Sequence, residues 1–332
     1  MFEAVQRTLD FSSRTSRRAF WSYFALVAAV TLICAIPQTT EPLAKALLVV
    51  IPGMVFLPLF ALTARRLHDT GRSGWWSALY ALPVIGTLVL LVFCARKPRH
   101  VKEWPARPIH KLGQGLVLSI AALYLSRLFW APYWIPSGSM KPTLLAGDYL
   151  IVSLSRGEPE PGDVIVFREA ETEYVFRVVA GPGDRVKMQA GTLVLNGAAV
   201  ATTPQGVFEE PRGPEGPLGV FPLCQSPDPT APCTKDQFLE TLPHGRSHRV
   251  LDTFAGRLDD TPEVSVPEGY VFVLGDNRDN ANDSRVPQAV GGRGFVPIED
   301  VVGVAKLVLF SSRGALVDFT KWRWNRFWEP VV

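Results

Sequence analysis

Pro136-Ser137-Gly138-Ser139-Met140-Lys141-Pro142-Thr143-Leu144 is where this chain of 332 residues changes character. An apolar run, Leu116 to Trp134, ends just before it, and short β-branched runs punctuated by glycine and proline follow it. Gly138 allows a tight turn and close approach of the backbone to a ligand. The prolines stiffen the loop and discourage a continuing helix. A serine held this way can serve as a nucleophile with backbone N–H groups beside it. The same residue types also make an ordinary surface turn, so the stretch needs support from elsewhere in the chain.

Upstream, three more apolar runs precede Leu116–Trp134: Phe20 to Ile36, Ala44 to Leu62 and Trp75 to Ala95. Each is about long enough to cross a bilayer. The third contains Pro83 and Gly86; the fourth carries Ser126 and Arg127 toward its end, beside Trp130 and Trp134. Because further apolar runs follow the first, it does not read as a cleavable signal peptide. Arginine and lysine cluster before the first run, between the second and third, and most strongly over 96–111, where Arg96, Lys97, Arg99, Lys102, Arg107 and Lys111 lie. Two topologies are compatible with positive charge on the cytoplasmic side: a re-entrant third run broken at Pro83–Gly86, or an outside N-terminus with 96–111 inside. Both send the chain after Trp134 out of the cytoplasm.

Composition agrees with a membrane protein. Hydrophobic residues make up 47% and charged ones only 20%, and mean hydropathy is +0.14. A net charge of +3 does not point to nucleic acid. Cys34 and Cys94 lie in apolar runs and read as small hydrophobes. Cys224 and Cys233 lie in a proline-rich polar stretch, where an oxidising compartment would allow a disulfide. No cysteine or histidine spacing suggests a metal, and no cofactor is expected.

Downstream, Tyr149–Leu154, Val164–Arg168, Tyr174–Ala180, Arg185–Met188, Thr192–Leu195, Tyr270–Leu274 and Val301–Phe310 read as strands, with Asn196-Gly197 as a hairpin turn. Residues 200–262 read as an irregular insertion. The final Lys321-Trp322-Arg323-Trp324-Asn325-Arg326-Phe327-Trp328 interleaves aromatic and basic residues, and reads better as a membrane-facing rim than as a base-stacking surface. The expected architecture is an α-helical membrane region followed by a mainly antiparallel β domain: 1–114 a multi-span module, 115–134 an anchor helix, and 135–332 an extracytoplasmic domain.

Two resemblances sharpen this reading. Arg17-Arg18-Ala19-Phe20-Trp21 and Arg65-Arg66-Leu67-His68-Asp69-Thr70-Gly71-Arg72-Ser73-Gly74-Trp75-Trp76 resemble a family of small bacterial inner-membrane proteins known only as a domain of unknown function. That resemblance covers about residues 10–100 and brings no chemistry; His68 and Asp69 read as part of an interfacial loop. The second covers about 116–310. The S-G-S loop, Pro161-Gly162-Asp163-Val164, Arg177 with Gly181-Pro182-Gly183-Asp184, and Gly275-Asp276-Asn277-Arg278-Asp279-Asn280-Ala281-Asn282-Asp283-Ser284-Arg285 occur in an order that resembles bacterial signal peptidase I. The resemblance implies a β-rich serine endopeptidase of the cytoplasmic membrane that removes signal peptides from exported preproteins with a Ser/Lys dyad. Its partners would be those signal peptides and the bilayer. Ser139 would be the nucleophile, its N–H and the Ser137 hydroxyl the oxyanion hole. Arg177, Asp276, Arg278, Asp283 and Arg285 would support the site structurally, and Pro136 and Met140 would meet substrate.

The chain departs from that family at one step. The lysine base expected before G-P-G-D falls on Phe176, and the serine that would orient it falls on Ala281. Phenylalanine accepts no proton, and strand alternation turns Arg177 to the opposite face. Lys141, Lys187, His244 and His248 are the other candidate bases, each expected at the surface. The reading is a signal-peptidase-like endopeptidase with a substitute base or weak activity. The alternative is an inactive paralogue that binds signal peptides or exported chains, and a third is a specialised peptidase of the same clan.

Overall fold

The computed structural model describes residues 5–37, 42–82, 85–99, 108–154, 157–215, 218–219, 221–316 and 318–332. Pro83, Lys102 and Arg107 lie outside the described residues. The chain divides into two units, Met1–Leu128 and Phe129–Val332.

The first unit is helical. Helix α1 (Arg17–Ala35) starts where the Ser16 side chain accepts from the Ala19 N–H, an N-cap that satisfies one of the donors a helix start leaves open. Helix α2 (Pro42–Asp69) is next, then a 3-10 segment (Gly74–Ala81), α3 (Ile85–Ala95) and α4 (Pro108–Ser126). Helices α1 and α2 are long and apolar enough to cross a bilayer by length and composition; α3 and the apolar part of α4 are shorter. The third apolar run is therefore not one helix. Phe20, Tyr23, Val27, Leu59, Leu62, Leu67 and Leu90 form the buried core of the unit, and the Tyr23 hydroxyl donates to the Val55 carbonyl at 3.0 Å. At Gly53 a β-carbon would fall 2.4 Å from the Tyr124 ring, so only glycine lets α2 pack this closely on α4. His68 and Asp69 form the last turn of α2 rather than a loop, and His68 is buried.

The expected anchor helix ends early. Helix α4 stops at Ser126, and Trp130–Trp134 is strand β1, paired antiparallel with β2 (Asp148–Ser153). Proline at 132 and aromatic residues on either side favour an edge strand over a helix, and β1 occupies one edge of its sheet.

The second unit is built from antiparallel sheets. The largest contains β3 (Val164–Glu169), β4 (Thr172–Ala180), β12 (Tyr270–Leu274), β13 (Val296–Pro297) and β14 (Val301–Ser311), in the order β1-β2-β14-β3-β4-β12-β13, with β15 (Glu329–Pro330) on β14. A second sheet joins β5 (Arg185–Gln189), β6 (Thr192–Leu195), β7 (Ala198–Ala199) and β11 (Val264–Ser265). Asn196 and Gly197 both take positive φ at the β6–β7 turn, the geometry an Asn-Gly hairpin favours. Strands β4 and β12 of the first sheet send alternate residues into two apolar clusters, and the second sheet packs on the second of these. Ile135, Met140, Leu144, Ile165, Phe167, Phe176, Val178 and Val273 belong to the first cluster; Val179, Leu193, Phe272 and Leu274 belong to the second.

Within the expected irregular insertion the strands form a three-stranded sheet: β8 (Ala201–Glu210), β9 (Cys233–Thr241) and β10 (Ser247–Asp252), in the order β10-β9-β8, with a register shift between Pro204 and Val207. Its strands hid from periodicity because β8 is exposed on nearly every residue and so carries no apolar alternation. Cys224 and Cys233 are disulfide-bonded across the loop entering β9, Cα atoms 4.9 Å apart.

In the C-terminal aromatic–basic segment two arginines turn inward and two tryptophans outward. Arg323 and Arg326 are buried. Arg326 donates to Asp148 at 2.7 Å and to the Thr143 carbonyl at 2.9 Å, and Arg323 donates to the Ala146 carbonyl at 3.0 Å. Trp324 and Trp328 face outward. Two of its arginines are thus committed to holding the chain that follows the S-G-S loop.

Candidate active site

Strand β4 places Phe176 and Arg177 side by side. Cross-strand pairing sets Phe176 against Ile165, and Arg177 against Val164 on one side and Leu274 on the other. Leu274 ends β12, so the polar loop 275–285 leaves the sheet beside these two residues. It then zips onto the S-G-S loop. The Asn277 N–H donates to the Ser139 carbonyl at 3.0 Å, and its side-chain amide donates to the Gly138 carbonyl at 2.8 Å. Asn277 drew no attention in the sequence because its role depends on which loop it meets.

Arg177 and Asp276 form the anchor of this junction. The guanidinium grips the carboxylate with two bonds, 2.8 and 2.7 Å, and also donates to the carbonyls of Gly162 (2.9 Å) and Val332 (3.0 Å). Thr143, four residues past Ser139, donates to the same carboxylate. Both charged groups are almost wholly buried. Burial alone would raise the Asp276 pKa, but Arg177 and the Thr143 hydroxyl hold it below the ordinary carboxylate value. Asp283 receives the Gly275 N–H at 3.0 Å and is held by Arg285 at 2.9 Å. Arg278 donates to Glu240 of β9 at 2.7 Å, and burial, offset by Arg278 and by His248 3.2 Å away, leaves the Glu240 carboxyl at about 2. All five expected supporting residues are thus buried and charge-paired.

Ser139 is half-buried and Ser137 exposed, with their hydroxyls 3.3 Å apart. Among the described residues the Ser139 N–H donates to no protein acceptor, which leaves it available to an incoming oxygen. The space behind Ser139 is apolar. A β-carbon on Gly275 would fall 2.8 Å from the Ser139 carbonyl, 2.3 Å from the Ala281 β-carbon and 3.4 Å from the Phe176 ring. Residues 139, 176 and 281 therefore converge on one point, and glycine at 275 is what lets them. Phe176 is 4% exposed and packs near Phe167, ring centroids 6.2 Å apart. No titratable side chain among the described residues hydrogen-bonds the Ser139 hydroxyl.

Three expectations are corrected here. Met140, expected at the substrate surface, is 1% exposed and sits in the first core cluster; Pro136 is exposed. The turn at 136–144 drives Met140 inward because it is the one large apolar side chain between the two serines and Leu144. Lys141 and His248, expected at the surface, are buried. Lys141 folds under Gly138, and its amine binds Glu210 and, at 2.8 Å, Glu215; Lys235 binds the other oxygen of Glu210. These two lysines and two glutamates join the S-G-S loop to strands β8 and β9. Glu210, Glu215 and Lys235 were missed because they lie far from the motifs in sequence. The one signal was a lysine next to a turn that must pack closely, which requires a buried anion. His244 is exposed and Lys187 partly so. Among the described residues no group of histidine, cysteine or carboxylate side chains could hold a metal ion.

Comparison with known proteins matches residues 109–310 to the family described as signal peptidase, peptidase S26, and residues 8–102 to a protein family of unknown function, DUF805. Signal peptidase I of Rickettsia typhi is 31% identical over 225 residues, covering 58% of this chain and 76% of that protein. Signal peptidase I of Rickettsia akari is 30% identical over the same length and coverage. A crystal structure of a signal peptidase I from Enterococcus faecalis matches 45% of this chain and 98% of its own at 22% identity, with a TM-score of 0.24. With the S26 match spanning more than half of its length, this chain belongs to the signal peptidase (peptidase S26) family, and carries a DUF805 module ahead of the family's domain.

Proposed function

We propose that this chain is a membrane-anchored signal-peptide-binding member of its family, with its β unit outside the cytoplasm and at most residual endopeptidase activity. An extended peptide would lie along the exposed Pro136–Ser137 face beside Ser139. The Ser139 N–H and the Ser137 hydroxyl would receive the carbonyl of the residue before the cleavage point, which must be small to fit. The observation that carries the reading is the Phe176 ring beside Ser139, with Ala281 next to it, where a proton acceptor is required. A serine hydroxyl is a weak nucleophile until a neighbour takes its proton. Among the described residues the Ser139 hydroxyl has one partner, that of Ser137, which is no base at neutral pH. Lys141 offers no substitute, because its amine is turned to Glu210 and Glu215.

A preprotein and the purified full chain in detergent test this directly. Binding is followed by crosslinking from a photoreactive residue beside the signal peptide's cleavage point, and cleavage is followed by gel, with Ser139→Ala alongside. Crosslinking with little or no Ser139-dependent cleavage is expected. Cleavage at a rate comparable to a Ser/Lys signal peptidase assayed in parallel would overturn the proposal in favour of an active peptidase with another base.

A further inference from the structure

The helical unit carries a feature that the peptidase family does not explain. Helix α2 ends in Arg66 and Asp69, and this turn is stitched to the chain leaving α3. Arg66 donates to the Cys94 carbonyl at 2.9 Å, to the Arg96 carbonyl and to Asp69, while the Arg99 N–H donates to the Asp69 carbonyl at 2.9 Å. The stitching brings Arg72 and Arg96 onto one ring: their guanidinium carbons lie 4.4 and 5.8 Å from the centre of Phe93. Trp76 packs edge-on against the same ring, centroids 5.4 Å apart. Arg99 completes the group. Arg72 is held below its ordinary pKa, by desolvation first and then by the charges of Arg96 and Arg99.

Three like charges held together this way repel one another, and the cation–π contacts to Phe93 return only part of that cost. Asp69, on the same turn of α2 as Arg66, is already bound to Arg66. Among the described residues no acidic side chain pairs with Arg72, Arg96 or Arg99, so within them the cluster has no counterion. Beside it lies an apolar recess of about 230 Å³ lined by Trp75, Trp76, Ala78, Leu79 and Leu82. Ile85, Leu88 and Val92 continue an exposed apolar stripe along α3, at the spacing of one helix face. A cationic rim, exposed tryptophans and an apolar recess then follow one another across the surface. That sequence of chemistries matches one molecule, a phospholipid with a negative headgroup and a fatty acyl chain.

We propose that Arg72, Arg96 and Arg99 bind the phosphate headgroup of an anionic phospholipid whose acyl chain lies in the Trp75–Trp76–Leu82 recess. Charge complementarity selects the headgroup and the recess selects a lipid over a soluble phosphate. The inference rests on the membrane location proposed above.

The test uses the full chain, purified in detergent and examined by native mass spectrometry with added phosphatidylglycerol, phosphatidylcholine of the same acyl composition, or inorganic phosphate. Phosphatidylglycerol should be retained in preference to phosphatidylcholine. With each arginine near such a surface contributing about a factor of 5, Arg72→Gln/Arg96→Gln/Arg99→Gln should weaken retention about 100-fold. A charge-matched variant in the β unit, Lys187→Gln/Arg249→Gln/Arg313→Gln, should leave it unchanged. Equal retention of the two lipids by the wild type would overturn the inference while leaving membrane location intact, and that comparison requires no variant to fold. Displacement of phosphatidylglycerol by millimolar phosphate, or wild-type retention by the folded arginine variant, would overturn it as well.

Discussion

Rebuilding a base beside Ser139 is the sharpest perturbation this site offers. In the variant Phe176→Lys/Ala281→Ser, the lysine would start from a buried core position and the serine from the methyl group next to it. Truncating a buried phenylalanine costs about 3–5 kcal/mol, and the lysine methylenes recover about 0.8 kcal/mol each. The amine adds its own cost. If burial lowers its pKa from about 10.4 to about 7.5, the penalty at neutral pH is roughly 4 kcal/mol. The sign follows from proton counting. Between those two pKa values the folded state binds fewer protons than the unfolded one, so stability of the variant rises with pH. The double variant should therefore be about 5 kcal/mol less stable than wild type at pH 7, and should regain about 1.4 kcal/mol for each pH unit toward pH 10. Its cleavage of a preprotein, measured near pH 9 where it is folded, should exceed wild type by about 10²–10⁴-fold. Phe176→Lys alone should gain much less, because Ala281 gives the amine no hydrogen-bond partner and the side chain would turn toward water. Adding Ser139→Ala should abolish the gain. A folded double variant no faster than wild type, or a gain that survives Ser139→Ala, would refute the reasoning.

Three further outcomes follow from buried charges. Asp276→Asn leaves Arg177 buried without its anion and should cost about 3–5 kcal/mol in chemical denaturation; since the Asp276 carboxyl is depressed, its stabilisation is present at neutral pH and the gap to the variant should close in acid, as pH falls below 3.8. Glu210→Gln strips an anion from both Lys141 and Lys235 and should cost a similar ~3–5 kcal/mol, with Glu210→Gln/Lys235→Met less damaging because it removes one of the stranded charges. Asp252, on β10, is pushed up to about 6 from its ordinary 3.8 by burial first, then by a hydrogen bond and charge from Asp279 and the charges of Asp259 and Asp236. Its folded form binds more protons than the unfolded one between those values, so wild-type stability falls as pH rises through about 6. Asp252→Asn should melt higher than wild type at pH 8, with the difference shrinking below pH 5; a constant difference across that range would contradict the assignment.

Local patterning of residues was enough to mark several elements before any tertiary contact was known. Length of apolar runs marked the helical unit, and β-branched runs between glycine and proline marked β2 to β6, β12 and β14 within a residue or two. The Asn196-Gly197 turn was legible because its positive φ values select those two residue types. The S-G-S loop and the 275–285 loop were legible as motifs. What tertiary structure decided was everything that depends on which distant residues meet. Strand β1 was read as the end of a helix, because its aromatic, apolar residues suit a bilayer as well as a sheet edge, and pairing with β2 settles the choice. The sheet β8–β9–β10 was hard to see in the sequence because its edge strand β8 is exposed along nearly all its length and lacks the alternation that burial imposes. The buried Lys141–Glu210–Lys235–Glu215 group spans 94 positions of sequence, and no charge in it makes sense until the other three are beside it. A charged side chain belongs at the surface unless the fold delivers its counterion, and the delivery of that counterion is a property of topology rather than of local sequence.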